Sequence, residues 1–307
     1  MTDVSIDYKP FSWANQVPFT ALVNTVQRLE GTPMAFDPPS MEEWLRLPGR
    51  DPEENCLLAF AGDILLGYIL VNQERPIKRA VLEGGVLPTH RRMGVGTRLF
   101  DWALERSRQA NASIAHVAAL EGDTEQIGFL ENRGFILVRH HEQMRWKGEG
   151  IPEPNLSPGF VFRSFRVGDE AGLTEVQNAA FSTQWGFSPN TVEQVSHIVH
   201  MSRSDPEGVV LLMADDEVAG YCWTQTAGEA PQVTGSILMI GVHPKHQGKG
   251  LGRAVLSYGI RSLLQRGIRV VDLTVDRENT AARELYTSLG FVKMGGQMWY
   301  ETTLIAG

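Results

Sequence analysis

The chain is 307 residues long, with 42% hydrophobic and 21% charged residues and a formal net charge of -8. That composition supports a buried core and excludes a disordered polymer, and the acidic balance argues against nonspecific nucleic-acid binding, which needs a basic excess. At roughly 150 residues per domain the length suggests two domains.

Taken in chain order, residues 1–15 are polar and mixed in charge, without the basic-then-apolar order of a secretory signal. No apolar run approaches the roughly 18 residues of a membrane span, so neither export nor a membrane is expected. The only cysteines are Cys56 and Cys222. They are too isolated for a disulfide framework or a paired zinc site, so a reducing cytoplasm and no metal are expected. Further along, Val86, Pro88, His90, Gly94, Gly96, Gly134 and Phe135 recur as Val242, Pro244, His246, Gly250, Gly252, Gly290 and Phe291, every pair 156 residues apart. A constant offset across two separate clusters indicates duplication of a whole domain. Between the copies, the prolines and glycines of residues 147–154 interrupt any helix or strand pattern. The expected boundaries are therefore an N-terminal domain over 1–146, a linker over 147–159 and a C-terminal domain over 160–307.

In the C-terminal copy the pattern alternates, which places the fold in the mixed α/β class. Strands are expected near 160–165, 209–214 and 218–224, with a helix over about 170–181. The nearly continuous apolar run 236–242 reads as a strand buried on both faces, and Gly241 within it signals a bulge or a close backbone approach. After a turn at 243–248, Gly252, Leu256, Gly259, Ile260 and Leu263 fall on one face of a helix that stops at Gly267. A strand over 270–275, a helix over 279–289 and a last strand over 291–300 complete the copy.

The segment Gln247-Gly248-Lys249-Gly250-Leu251-Gly252-Arg253 joins the buried strand to the amphipathic helix, where free backbone N–H groups point outward. Glycines let the backbone approach an anion closely, the helix dipole favours negative charge, and Lys249 and Arg253 add charge, so the turn suits a phosphate. A P-loop would need Gly-Lys-Ser/Thr, and a dinucleotide fingerprint would need its glycines after the first strand of a βαβ unit. On the next helix, Ala282, Leu285, Tyr286 and Leu289 share one face. Tyr286 thus points inward, where it serves as core or as chemistry, and Asn279 stands at the helix N-cap position.

Val242-x-Pro244, Gln247-x-x-Gly250-x-Gly252 and Asn279-x-x-Ala282-x-x-x-Tyr286-x-x-x-Gly290-Phe291 together resemble the GNAT acetyltransferase superfamily over 160–301. A weaker likeness runs over 1–146 through Arg91-Arg92-Met93-Gly94-Val95-Gly96. The tandem arrangement resembles the mycothiol synthase group. The resemblance implies two tandem GNAT-like domains, each a central mixed β-sheet flanked by helices. It implies acetyl-CoA as acyl donor, its pyrophosphate held by the backbone of Gly248 to Gly252. Met239, Ile240 and Val242 would pair with the pantetheine arm and aim an N–H at the thioester oxygen, a donor worth roughly 3 kcal/mol of barrier. Asn279 and Ala282 would contact the cofactor, and Tyr286 would protonate the departing thiolate.

The carboxylate that the family often carries on the strand before the loop is missing, with Ser236 and Met239 at those positions. Asp272, Thr274 and His243 are nearby alternatives, and none is assigned as base. In the N-terminal copy Leu130 stands where Tyr286 aligns and Asp123 where Asn279 does, while Glu83 is retained. That half is expected to be degenerate, with Arg91, Arg92, Gly94, Val95 and Gly96 as a second candidate cofactor site. The expected activity is acetyl transfer to the primary amine of a small molecule, and the alternative is a non-catalytic acyl-CoA sensor or scaffold. The aromatic loop 184–187, with Trp223 and Trp299, is a candidate lining for the acceptor pocket.

Overall fold

The computed structural model describes residues 5–29, 35–148, 150–228 and 233–304. Residues 1–4 of the polar N-terminus and Glu149 of the expected linker lie outside the described residues. Two compact units emerge: Met1–Arg139 with Gln297–Gly307, and His140–Gly296.

The first unit contains β1 (Asp7–Pro10), α1 (Gln16–Leu29), α2 (Pro38–Leu45), α3 (Pro52–Asn55), β2 (Cys56–Ala61), β3 (Ile64–Glu74), β4 (Arg79–Val86), α4 (Val95–Gln109), β5 (Ile114–Leu120) and α5 (Thr124–Glu131). Strand β6 (Ile136–Lys147) runs out of it into the second unit. The second unit continues with β7 (Phe160–Ser164), α6 (Glu170–Phe181), α7 (Val192–His200), β8 (Val209–Ala214), β9 (Glu217–Ala227), β10 (Thr234–Val242), α8 (Leu251–Gln265), β11 (Val270–Asp276) and α9 (Thr280–Ser288). Strand β12 (Val292–Thr303) then returns to the first unit from Gln297 onward.

The last strand of each copy is thus exchanged. Residues 141–147 of β6 pair antiparallel with β11, from Lys147 opposite Val270 to His141 opposite Asp276. Residues 297–303 of β12 pair antiparallel with β5, from Gln297 opposite Leu120 to Thr303 opposite Ile114. The expected boundaries at 146 and 160 give β6, all but Lys147, to the N-terminal copy. The compact units instead divide the chain at 139 and again at 296. Strand pairing is a long-range choice that local pattern does not encode, and this is where the two descriptions part.

In the second unit the strand order is β6-β11-β10-β9-β8-β7, with helices on both faces. Leu256, Ile260 and Leu263 of α8 and Tyr286 of α9 pack on one face with Leu212, Val271 and Leu273. Leu173 and Val176 of α6 with Val195 and Val199 of α7 pack on the other, against Val209, Leu211 and Met213. Strand β8 therefore alternates between two cores, which explains why its sequence is apolar throughout. Each fully buried Leu or Val here is worth roughly 1.5–3 kcal/mol. Helix α7 was not foreseen, although its N-terminus carries a capping box. The Thr191 hydroxyl accepts from the Gln194 N–H, and the Gln194 side chain accepts from the Thr191 N–H.

Candidate active site

The site is built around β10. This strand pairs antiparallel with β9 along its whole length, with a register shift between Ile237 and Met239. It pairs parallel with β11 only at Gly235 to Ile237, opposite Val271 to Leu273. A bulge sharpens local twist, and the two strands separate beyond it. From Leu238 to Val242 the β11 side of β10 has no strand partner among the described residues. Gly241 is not the bulge. A Cβ there would lie 2.8 Å from the Ala180 Cβ and 3.0 Å from a Tyr221 ring carbon, so it is the close approach of α6 that demands glycine.

The glycine loop follows. The Gln247 side-chain amide donates to the Val242 carbonyl at 3.0 Å and ties the loop to the end of β10. Gly248 and Gly250 take left-handed φ values of 77° and 74°, a conformation that glycine adopts freely. Around both, the space where a Cβ would stand is open. Gly250 is the N-cap of α8 and offers no side-chain cap. The first helical bond runs from the Ala254 N–H to the Gly250 carbonyl, leaving the N–H groups of Leu251, Gly252 and Arg253 without helical acceptors. Lys249 is exposed, its ammonium 5.9 Å from the centre of the Phe160 ring. Arg253 donates to the Ser288 hydroxyl and so joins the start of α8 to the end of α9.

Asn279 caps α9, its side-chain oxygen accepting from the Ala282 N–H at 3.1 Å, while its amide reaches Gln184 at 3.5 Å. The loop 184–187 is thereby connected to the helix that carries Tyr286. Tyr286 is 7% exposed and lies in one cluster with Ile240, Val242, Leu251 and Phe291. Burial pushes its phenol above the ordinary value, and the neighbouring Cys222 thiol adds to the shift. Cys222 stands opposite Ile240 in the β9–β10 register, so the phenol belongs to the stretch where β10 has lost its partner. Its hydroxyl has no hydrogen-bond partner among the described residues.

Among the nearby candidates for a base, Asp272 is held in an ion pair. Asp272 accepts on both oxygens from Arg145 of β6, at 2.6 and 2.7 Å. His243 accepts the Lys245 N–H on Nδ1 and lines a cleft of about 260 Å³ with Asp169, Glu175, Glu217 and His246. Thr274 is exposed on β11, and Met239 lies against the Gln177 amide. Of the three aromatic elements expected at the acceptor pocket, Trp223 is buried opposite Met239. Phe187 of the loop stacks on Phe181 at 6.2 Å, and Trp185 meets His141 at 6.1 Å. Trp299 lies in the first unit against His116. Arg145 and His141 were missed because β6 reads as part of the other copy.

The first unit repeats the scaffold with different residues at the equivalent positions. Strands β4 and β5 pair only from Arg79 to Val81. Arg92 and Gly94 adopt φ of 63° and 83°, reproducing the loop with a non-glycine at the position of Gly248. Arg91 and Arg92 each lie 3.8 Å from Glu125. Asp123 caps α5 through the Gln126 N–H at 3.0 Å. In place of Tyr286, Leu130 is 1% exposed. Among the described residues no cluster of ligands suits a metal ion and no helix is long and apolar enough to cross a membrane.

The model of the acetyltransferase (GNAT) family matches residues 23–135 and 171–291. A mycothiol acetyltransferase from Streptomyces avermitilis is 31% identical over 286 residues, covering 92% of this chain and 90% of that protein. A GCN5-related N-acetyltransferase from Sphaerobacter thermophilus superposes with a TM-score of 0.71 at 26% identity, over 98% of this chain and 96% of the other. A tandem GNAT protein from the clavulanic acid biosynthesis pathway gives a TM-score of 0.76 at 15% identity, over 99% and 100% of the two chains, a likeness of fold alone. The chain belongs to the GNAT acetyltransferase family in both halves, and it is an N-acetyltransferase whose acyl donor is acetyl-CoA.

Proposed function

We propose that acetyl transfer takes place in the C-terminal half, on the primary amine of a small molecule, with Tyr286 as proton donor. The observation that carries this reading is the Tyr286 phenol beside the unpaired stretch of β10, in the half whose glycine loop is free of Arg substitution. The backbone of residues 239–242 would pair with the pantetheine arm as an added strand. The open loop of Gly248 to Gly252 and the uncapped start of α8 would take the pyrophosphate. The amine nitrogen attacks the thioester carbonyl, the C–N bond forms and the C–S bond breaks. The ammonium proton leaves to solvent, and the sulfur takes its proton from Tyr286, which solvent reprotonates. A phenol held above its ordinary value is neutral at the start of each cycle and carries the proton it donates.

The acceptor we propose is the free-amine precursor that acetylation converts to mycothiol, supported by the relatives named mycothiol acetyltransferase. A reducing cytoplasm suits the two buried free thiols, Cys56 and Cys222. The test is product mass after incubation with acetyl-CoA and a panel comprising that precursor, amino sugars, peptides and simple amines. Thiol release is a poor readout where the acceptor itself bears a thiol. Acetylation of the precursor well above the rest is expected. Selective acetylation of another class would transfer the substrate assignment to it.

A further inference from the structure

The first unit holds a cavity of about 470 Å³ between the turn that joins β3 to β4 and the end of α4. It lies at the opposite end of α4 from the loop around Gly94. Main chain fixes its two sides together: the Ser113 N–H donates to the Lys78 carbonyl at 2.7 Å, and β4 begins its pairing with β5 at Arg79 opposite Ile114. Four cations line the cavity, Arg75, Lys78, Arg79 and Arg106, and among the described residues no carboxylate does. In a chain of net charge -8 this is a local reversal of sign.

The counter-charges fall short of the cations. Buried Arg79 pairs with Glu74 and brings Nη1 within 3.4 Å of His116 Nδ1. Arg106 is partly buried and donates from Nη2 to Glu54 at 2.7 Å and from Nε to Asn55 at 2.9 Å. Its Nη1 makes no hydrogen bond among the described residues. Arg75 and Lys78 are exposed, and among the described residues neither makes an ion pair. Two carboxylates thus answer four cations, an excess of two charges around one cavity. The backbone sets a second mark on the same place. Only four non-glycine residues among those described take left-handed φ values, and two of them, Lys78 at 51° and Asn111 at 60°, line this cavity. Glycine would take either conformation freely, whereas lysine holds a charge there against strain. The end of α4 does not cancel that charge, because the N–H groups of Ala110, Asn111 and Ala112 already occupy the carbonyls of Arg106, Arg108 and Ser107.

We propose that this cavity binds the phosphate group of a small phosphorylated molecule. A phosphate monoester carries about -1.5 to -2 charges at pH 7, which matches the excess of two, whereas a carboxylate carries one. The forked guanidinium groups of Arg75 and Arg106 suit its oxygens. The volume is that of a small-molecule pocket, and the amides of Gln109 and Asn111 in its lining suit a polar body. The test is titration calorimetry of the full-length chain near neutral pH with inorganic phosphate, glycerol phosphate and glucose phosphate, against acetate and glucose. Saturable binding of at least one phosphate probe is expected, with acetate and glucose at least about tenfold weaker. Lys78→Gly removes a charge at a φ that glycine adopts freely, and Arg75→Gln removes an exposed, unpaired one. Together they should weaken the phosphate probe at least about tenfold while melting temperature and acetyl transfer stay unchanged. Should the double variant melt early, Arg75→Gln decides alone. No saturable binding by any phosphate probe at about 10 mM overturns the proposal. So does binding that the double variant leaves untouched, which would place the anion at a glycine loop, and so does acetate bound as tightly as phosphate.

Discussion

The mechanism proposed for the C-terminal half rests on one hydroxyl, that of Tyr286. Tyr286→Phe keeps the ring packed 5.8 Å from Phe291 and removes only the hydroxyl. We predict a fall in kcat of about 10²–10⁴-fold with little change in acetyl-CoA affinity or melting temperature, read by steady-state kinetics and calorimetry. Because burial raises the phenol above 10.0, Tyr286 remains protonated throughout the neutral range. Loss of its proton therefore removes activity only on the alkaline side of pH 10, and a wild-type alkaline limb absent from Tyr286→Phe at lower pH would contradict this. The inward face of Tyr286 and the capping role of Asn279 were legible from helical spacing. The commitment of Asp272 to Arg145 was not, since those partners are 127 residues apart.

Strand β10 and helix α8 form the frame of the proposed cofactor site. The apolar run and the glycine loop were legible because both are local, one in periodicity and one in backbone freedom. The bulge between Ile237 and Met239 and the separation from β11 were not, because they depend on which strands lie alongside. Gly241→Ala separates the two roles open to that glycine. With a Cβ 2.8 Å from Ala180 and 3.0 Å from Tyr221, overpacking should cost about 1–3 kcal/mol. Thermal melting should fall by several degrees, and the KM for acetyl-CoA should rise as β10 is pushed from α6. An unchanged melting temperature would mean that α6 yields without cost.

At the scale of the whole molecule, duplication was visible as a repeated offset, but the exchange of β6 and β12 was not. One consequence concerns how the halves are separated. A fragment beginning near residue 155 lacks residues 141–147 of β6, which pair with β11, so the full chain is the proper subject of a binding test. Another concerns alkali. Burial raises the Cys222 thiol from 9.0 to about 12 and moves Cys56, Tyr221 and Tyr286 in the same direction. Above pH 9 the unfolded chain therefore releases protons that the folded chain retains, and stability falls as pH rises, by roughly 1.4 kcal/mol per pH unit for each thiol. Urea midpoints should be lower at pH 10 than at pH 7.5, with a smaller drop in Cys222→Ala. The cavity left by that change is independent of pH, so an equal drop would remove Cys222 from the explanation.

That the C-terminal half performs the acetyl transfer is tested most directly by placing the same charge in the two equivalent loops of the full-length chain. Gly250→Asp puts a side chain and a negative charge where the pyrophosphate would meet the start of α8, at a residue with φ of 74°, and Gly94→Asp does so at the start of α4, with φ of 83°. The backbone strain is closely matched, so the comparison isolates the site. Acetyl transfer measured by product mass should be abolished by Gly250→Asp and largely preserved by Gly94→Asp. Loss of turnover in Gly94→Asp with Gly250→Asp still active would assign the working site to the other half.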